Sequence, residues 1–424
     1  VADRALPQFI DEPVDELYDD EADDRLLEQR AVERRRRFSA SVDTYLVLAV
    51  GVLVAIGLMM VWSTTFFWSQ PQSAIFMQQV RNAGIGILIM FIVALVNYRV
   101  WRRLAIPIMA VTMLALLGLL VLPGIQTVFG ARRTYFEGAV QPSEIAVLAV
   151  VIYMATWLSS KKDKIKRLTY GLLPFALLVG SVAGMIILQP HLSTAALVLI
   201  TASLMFFLAG ADWTQLGIVF VVFLIAGLIA ISQFDYARAR IESFRDLLVD
   251  PLLASDHTQS AIYGFLRGGL GGVGLGEGYQ KFASLPAPHT DSIFAVIGEE
   301  LGLFGCAVVI GLYVVLMLRG LSIARNAPDT FGALLAAGMT LSIVVEAMMN
   351  IAVMAAAMPF TGVPLPFISF GGSSLVSSLA AVGFLLSVSR ATVRKSGPVR
   401  KVNETLSLPG MRGTISRVRQ RPAE

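Results

Sequence analysis

Apolar runs close to the length of a bilayer crossing recur from Thr44 to Ser389, and they leave this chain little choice of architecture. A helix needs about 20 apolar residues to cross the ~30 Å hydrocarbon core. Ten segments meet that need: 44–64, 77–97, 101–122, 143–160, 168–189, 191–210, 213–233, 291–319, 329–357 and 373–390. Of the 424 residues, 56% are hydrophobic and 15% charged, where soluble domains carry about 25% charged residues. The expected fold is an all-α polytopic membrane protein of about ten transmembrane helices. Cys306, the single cysteine, lies inside a run, which excludes a disulfide framework and a cysteine-based metal site. Residues 1–42 are charged and lack the apolar core of a signal peptide. They read as a disordered cytoplasmic tail, either a solvated tether or a docking peptide.

Charge sets the orientation. "ERRRRF" (33–38) precedes the first span, and "YRVWRR" (98–103), "KKDKIKR" (161–167) and "RGLSIAR" (319–325) follow the second, fourth and eighth. The tail 391–424 is basic as well. An even number of spans puts every cluster and both termini in the cytoplasm, as the positive-inside rule requires. The basic loops are therefore a matter of topology, and no nucleic-acid partner is expected. Four segments then face outward and are expected to be non-helical: 65–76, 123–142, 234–290 and 358–372. No internal repeat is visible, which weighs against inverted-repeat transporters.

The outward segments hold the candidate chemistry. "RGGLGGVGLGEGYQKF" (267–282) contains G-x-G-x-x-G at 269–274, but it lies between two spans and outside the βαβ context of a dinucleotide fingerprint. Its glycines read as a tight turn or as close backbone approach to a bulky or anionic ligand. Arg267 and Lys281 flank it as phosphate contacts or as solvated charges. Arg132 and Arg133 stand outside against the topological bias, which points to an anionic partner or to a local pair with Glu137. "MPFTGVPLPFISFGGSS" (358–374) is proline- and glycine-rich yet apolar, and such backbone is tolerated at membrane depth only against protein or a cavity. Ser369, Ser373 and Ser374 lack a nucleophile elbow and read as turn or pocket lining.

Acids inside spans are costly unless paired or placed on a polar cavity, which makes Glu144, Glu299, Glu300 and Glu346 candidates for a cavity or a structural network. Asp291 differs, because it opens the eighth span and is accessible from outside. It is either a helix N-cap or a proton acceptor. In one continuous helix, with ~1.5 Å rise per residue, Glu299 would lie roughly 12 Å below it.

Together these segments resemble the SEDS family (shape, elongation, division and sporulation) over about residues 43–390. The resemblance rests on "GARR" (130–133), "QPSE" (141–144), "QSAIYGFLRGGLGGVGLGEGYQK" (259–281), "LPAPHTDSIFAVIGEELG" (285–302), "MNIAVMAAAMPFTG" (349–362) and "GVPLPFISFGGSS" (362–374). It implies ten spans and a peptidoglycan glycosyltransferase acting on lipid II at the outer face of the bacterial cytoplasmic membrane. By similarity Asp291 matches the essential aspartate. It implies a general base for the acceptor 4-hydroxyl, which attacks the donor C1 with inversion as undecaprenyl pyrophosphate leaves. Arg132, Arg133, Arg267 and Lys281 are then the candidates for binding pyrophosphate, with His289, Ser369, Gly371, Gly372 and Ser373 beside them. Glu144, His191, Glu299, Glu300, Glu346 and Asn350 are the candidates for a polar cavity or structural network. The resemblance makes no cofactor certain; a divalent cation (Mg or Mn) could share the stabilisation of the pyrophosphate leaving group, and no metal-ligand cluster in the sequence specifies one.

Two departures stand out. Where members often have a lysine one turn after the glutamate of "QPSE" this chain has Val147, and "PHLSTA" places His191 where an aspartate is common. A contact between Glu144 and His191 would restore part of that pairing. "GEELG" (298–302) favours the FtsW-type division branch over the RodA-type elongation branch. Either branch implies a class B penicillin-binding protein as transpeptidase partner, and the division branch implies other divisome membrane proteins. The rival classes are a lipid-linked-oligosaccharide flippase, for which Asp291 is dispensable, and a non-enzymatic scaffold.

Overall fold

The computed structural model describes residues 43–65, 72–121, 141–161, 165–250, 255–283 and 285–395. Its helices are α1 Thr44–Thr65, α2 Gln72–Leu95, α3 Tyr98–Val121, α4 Pro142–Lys161, α5 Leu173–Leu188, α6 Leu192–Leu208 and α7 Trp213–Gln233. They continue with α8 Asp235–Val249, α9 Asp256–Gly268, α10 Gln280–Ala283, α11 Ile293–Glu300, α12 Gly302–Arg325, α13 Thr330–Met354 and α14 Gly372–Lys395. A π-helical turn, Leu168–Leu172, leads into α5. Nine helices among the described residues are long and apolar enough to cross a membrane, and α6, expected as a tenth, is shorter at 17 residues. The tails expected at 1–42 and beyond 395, together with Arg132, Arg133 and Glu137, lie outside the described residues.

The bundle has a buried centre and an apolar outside. The most buried spans are α13, α14 and α4. At the other extreme, α7 turns Phe220, Ile225 and Leu228 outward, the arrangement expected of a helix solvated by lipid on most of its face. With no gain in apolar transfer between helices in lipid, close packing and polar links must hold them together.

Those links define two ends. At one, Arg319 of α12 grips Asp43 ahead of α1 at 2.7 Å. Arg99 and Tyr98 at the start of α3 bind Asp329 ahead of α13. Arg390 of α14 donates to the Ala94 carbonyl of α2 at 2.7 Å. The basic segments 98–103 and 319–325 thus lie at this end. At the other end α1 finishes, α13 finishes and α14 begins, and described residues of the segments 234–292 and 358–371 bond to one another and to these helix ends.

Two expectations are corrected here. The segment 234–290 is not wholly non-helical, since α8 and α9 form within it. Both are amphipathic, with an apolar stripe to lay on the bundle and a polar face turned away. Nor is 291–319 one span. The chain breaks at Leu301 between α11 and α12, with Gly302 at φ 66°, a conformation that a side chain resists. The span is α12 alone, 24 residues. Helix α11 meets Asn350 near the end of α13 through the Asp291 carbonyl, and Ser63 near the end of α1 through Glu300. It therefore lies across the helix ends instead of descending, and Glu299 is not sunk below Asp291 as a continuous helix would place it.

Candidate active site

Asp291 stands just ahead of α11, and Ser292, not Asp291, occupies the N-cap position. The aspartate is thus not committed to the helix. Its half-buried carboxylate has one hydrogen-bond partner among the described residues, the Thr290 hydroxyl at 2.9 Å from Oδ1. The backbone on either side is pinned. Asn350 Nδ2 donates to the Asp291 carbonyl at 2.8 Å and to the Val363 carbonyl at 2.7 Å. Ser369 Oγ donates to the Thr290 carbonyl at 2.6 Å and accepts from Leu365 N at 2.7 Å. Phe370 N donates to the His289 carbonyl at 2.8 Å. The aspartate is therefore held by its main chain while its carboxylate keeps most of its lone pairs free, the state a proton acceptor needs.

Three basic groups feel its charge. Burial lowers the pKa of Arg240, against which the charges of Tyr236 and Asp291 act. Burial likewise lowers His257 and His289, and Asp291 opposes the shift in both. Arg240 donates to the Thr361 carbonyl at 3.3 Å and lies 5.4 Å over the Phe360 ring. His257 Nε2 is 2.7 Å from Ser292 Oγ, which is also 2.7 Å from the Pro286 carbonyl. A hydroxyl has one proton and a carbonyl only accepts, so for both bonds to form Nε2 must carry the hydrogen. A cavity of ≈ 260 Å³ opens here, lined by Arg240, Ser243, Phe244, His257, Met358 and Phe360 among others.

The two glutamates of the same stretch are occupied. Glu299, fully buried, accepts from Tyr279 N at 2.8 Å and Gln280 N at 3.1 Å, with Arg267 at 3.5 Å. Glu300 receives Lys281 Nζ at 2.5 Å and Ser63 Oγ at 2.7 Å. Lys281 also donates to the Ser63 and Gly276 carbonyls, and its side chain is completely buried. The expectation that Lys281 contacts pyrophosphate gives way to a structural role, because its charge and all its donors are used inside the fold. Arg267 keeps a side chain 46% exposed, stacked over Tyr279 at 5.2 Å. The glycine loop closes on the chain itself at its middle. Val273 N and Gly274 N donate to the Glu299 and Glu300 carbonyls, and a Cβ on Gly272 would come within 2.1 Å of the Glu300 oxygen.

Ser369 is buried with its hydroxyl satisfied on both sides, so it clamps the loop in place of the expected substrate contact. Gly371, Gly372 and Ser373 remain partly exposed beside it, and the His289 ring stacks edge-on against Phe370 at 5.5 Å. Glu144 does not pair with His191. It shares a small cavity with Glu346, while His191 begins α6. Sequence reasoning missed Arg240 and His257. The available signal was the amphipathic pattern of "DYARARIESFRD" (235–246), which marks a helix laid on the bundle with an arginine on it.

The model of the FtsW/RodA/SpoVE family, described as cell cycle protein, matches residues 43–394. Stage V sporulation protein E of Bacillus subtilis is 38% identical over 364 residues, covering 82% of this chain and 97% of its own. A probable peptidoglycan glycosyltransferase FtsW of Trichlorobacter lovleyi is 36% identical over 363 residues, covering 82% and 93%. Among solved structures, a chain from a peptidoglycan synthase complex that coordinates polymerization and crosslinking has a TM-score of 0.69 at 28% identity, covering 83% and 98%. The rod shape determining protein RodA of Thermus thermophilus has a TM-score of 0.61 at 28% identity, covering 82% and 97%.

Proposed function

This chain belongs to the FtsW/RodA/SpoVE family of multi-pass membrane proteins, and from that membership we propose that it is a peptidoglycan glycosyltransferase that polymerises lipid II, with Asp291 as general base. The observation that carries the reading is the contrast in one short stretch. Among the described residues the Asp291 carboxylate has a single hydrogen bond and three basic groups within its field, whereas Glu299 and Glu300 are saturated by the fold.

In the proposed reaction the acceptor 4-hydroxyl gives its proton to Asp291. Its oxygen forms the new bond to the donor C1 as the bond to the pyrophosphate oxygen breaks, and the configuration inverts. Undecaprenyl pyrophosphate leaves carrying the electron pair. Arg240 and Arg267 supply positive charge where that negative charge develops, with Arg132 and Arg133 as further candidates. Neutral His257, held by Ser292, orients the loop beside Asp291. A divalent cation would have to ride chiefly on the pyrophosphate: no group of three or more His, Cys, Asp or Glu side chains able to hold a metal occurs among the described residues.

The gathering of basic loops at the opposite end supports a site facing outward from the bacterial cytoplasmic membrane. We assign the division branch, with a class B penicillin-binding protein and other divisome membrane proteins as partners. Lipid II polymerisation by purified protein, with and without the transpeptidase partner, tests the reading. Asp291→Ala is expected to abolish product. Normal polymerisation by that variant would overturn the assignment and favour a transporter.

A further inference from the structure

Glu144 of α4, Glu346 of α13 and Ser378 of α14 converge on a cavity of ≈ 10 Å³ inside the bundle. They are 6%, 7% and 4% exposed. No hydrogen bond or ion pair joins any of the three side chains to another described residue, although neighbouring serines are satisfied: Ser342 donates to the Met339 carbonyl and Ser377 to the Ser374 carbonyl. Ser378 is the independent sign. A buried hydroxyl that could bond back along its own helix instead lines the cavity beside two carboxyls.

Two buried acids without a cation are expensive in a membrane interior. The two carboxyls are also not bonded to each other, so direct proton sharing does not account for them. The volume is about that of one small particle, since a cavity needs roughly 10–15 Å³ to hold a water. The donors are all oxygen, which suits hard cations. Mg²⁺ keeps several of its waters and Ca²⁺ takes about 6–8 oxygens. This cavity has room for neither shell.

We propose that Glu144, Glu346 and Ser378 form a binding site for one sodium ion at the junction of α4, α13 and α14. The ion would tie together the three most buried spans. Glu346 lies one helical turn from Asn350, the residue that pins Asp291, so the ion would brace that anchor from below. The site does not depend on the reaction assigned above.

The test uses full-length protein in nanodiscs, titrated with sodium chloride in a choline chloride background. Bound radioactive sodium and melting temperature are both read. The expected result is saturable binding near one ion per chain, with a sodium-dependent rise in melting temperature. Lithium should compete and choline should not. Glu346→Gln is expected to weaken sodium binding by at least about tenfold, or ~1.4 kcal/mol, and Ser378→Ala by several-fold. Val147 lines the same cavity, so Val147→Lys should place an ammonium in it and abolish sodium binding while the protein still melts cooperatively. No saturable sodium binding by the wild type, or binding unchanged in both Ser378→Ala and Val147→Lys, overturns the proposal. These readouts do not involve polymerisation, so their failure leaves the assignment of Asp291 untouched.

Discussion

The two ends of α11 carry acids of the same chemistry in opposite conditions. At its start, Asp291 is half-buried, its carboxylate hydrogen-bonded once among the described residues, and surrounded by Arg240, His257 and His289. At its end, Glu299 and Glu300 are sealed from solvent and occupied by backbone N–H groups, Lys281 and Ser63. The difference teaches how to separate a reactive acid from a structural one. What matters is not depth in the membrane but whether the fold has already used its lone pairs.

Perturbing each end should separate the two roles. The largest effect is expected from Asp291→Asn, which preserves shape and the bond to Thr290. Polymerisation should fall toward the upper end of the roughly 10²–10⁴-fold range of acid–base catalysis, with an unchanged melting temperature. Equal losses of activity and stability would erase the distinction. Next, Lys281→Met leaves Glu300 buried without its cation and should cost about 3–5 kcal/mol of stability. It is read as lost expression and a lower melting temperature. Pairing it with Glu300→Leu should recover much of that loss, because the stranded charge is removed.

Arg240→Leu should lower kcat about a hundredfold, as removal of one charge-stabilising donor commonly does, with little change in melting. A similar loss of stability would make Arg240 a structural residue. Gly272→Ala forces a Cβ against the Glu300 carbonyl at 2.1 Å from a φ of 78°. It should cost about 1–3 kcal/mol, measured by thermal unfolding. The smallest effect concerns pH. Burial holds His257 below its ordinary 6.5, so the fold favours the neutral ring. Its contribution to stability is full above about 6.5 and declines as pH falls toward the depressed folded value. Hydrogen-exchange protection factors across 255–292, corrected for the intrinsic pH dependence of exchange, should therefore fall between pH 7.5 and 5.5, and His257→Phe should flatten that dependence.

Much of this was legible from residue order, and the omissions have physical causes. The spans and their charge asymmetry follow from hydropathy, which adds up locally along the chain. Asp291 stood out because an acid opens an apolar run. Arg240 and His257 did not, because an arginine on an amphipathic helix is ordinary until one knows what the helix covers. The predicted single span 291–319 failed at Gly302, where the break is stabilised by the glycine loop donating from Val273 and Gly274 to carbonyls of the Glu299–Glu300 turn.

By itself, the sequence determined an all-helical membrane bundle, its basic end and the family motifs that single out Asp291. These depend on composition within windows of about 20 residues, or on motifs read in order. Only the tertiary structure decided which acids are spent. Glu300 meets Lys281 across 19 residues and Ser63 across 237, and Glu144 faces Glu346 from another helix. A carboxylate's role depends on which donors reach it, and in a bundle those donors come from helices that the sequence keeps far apart.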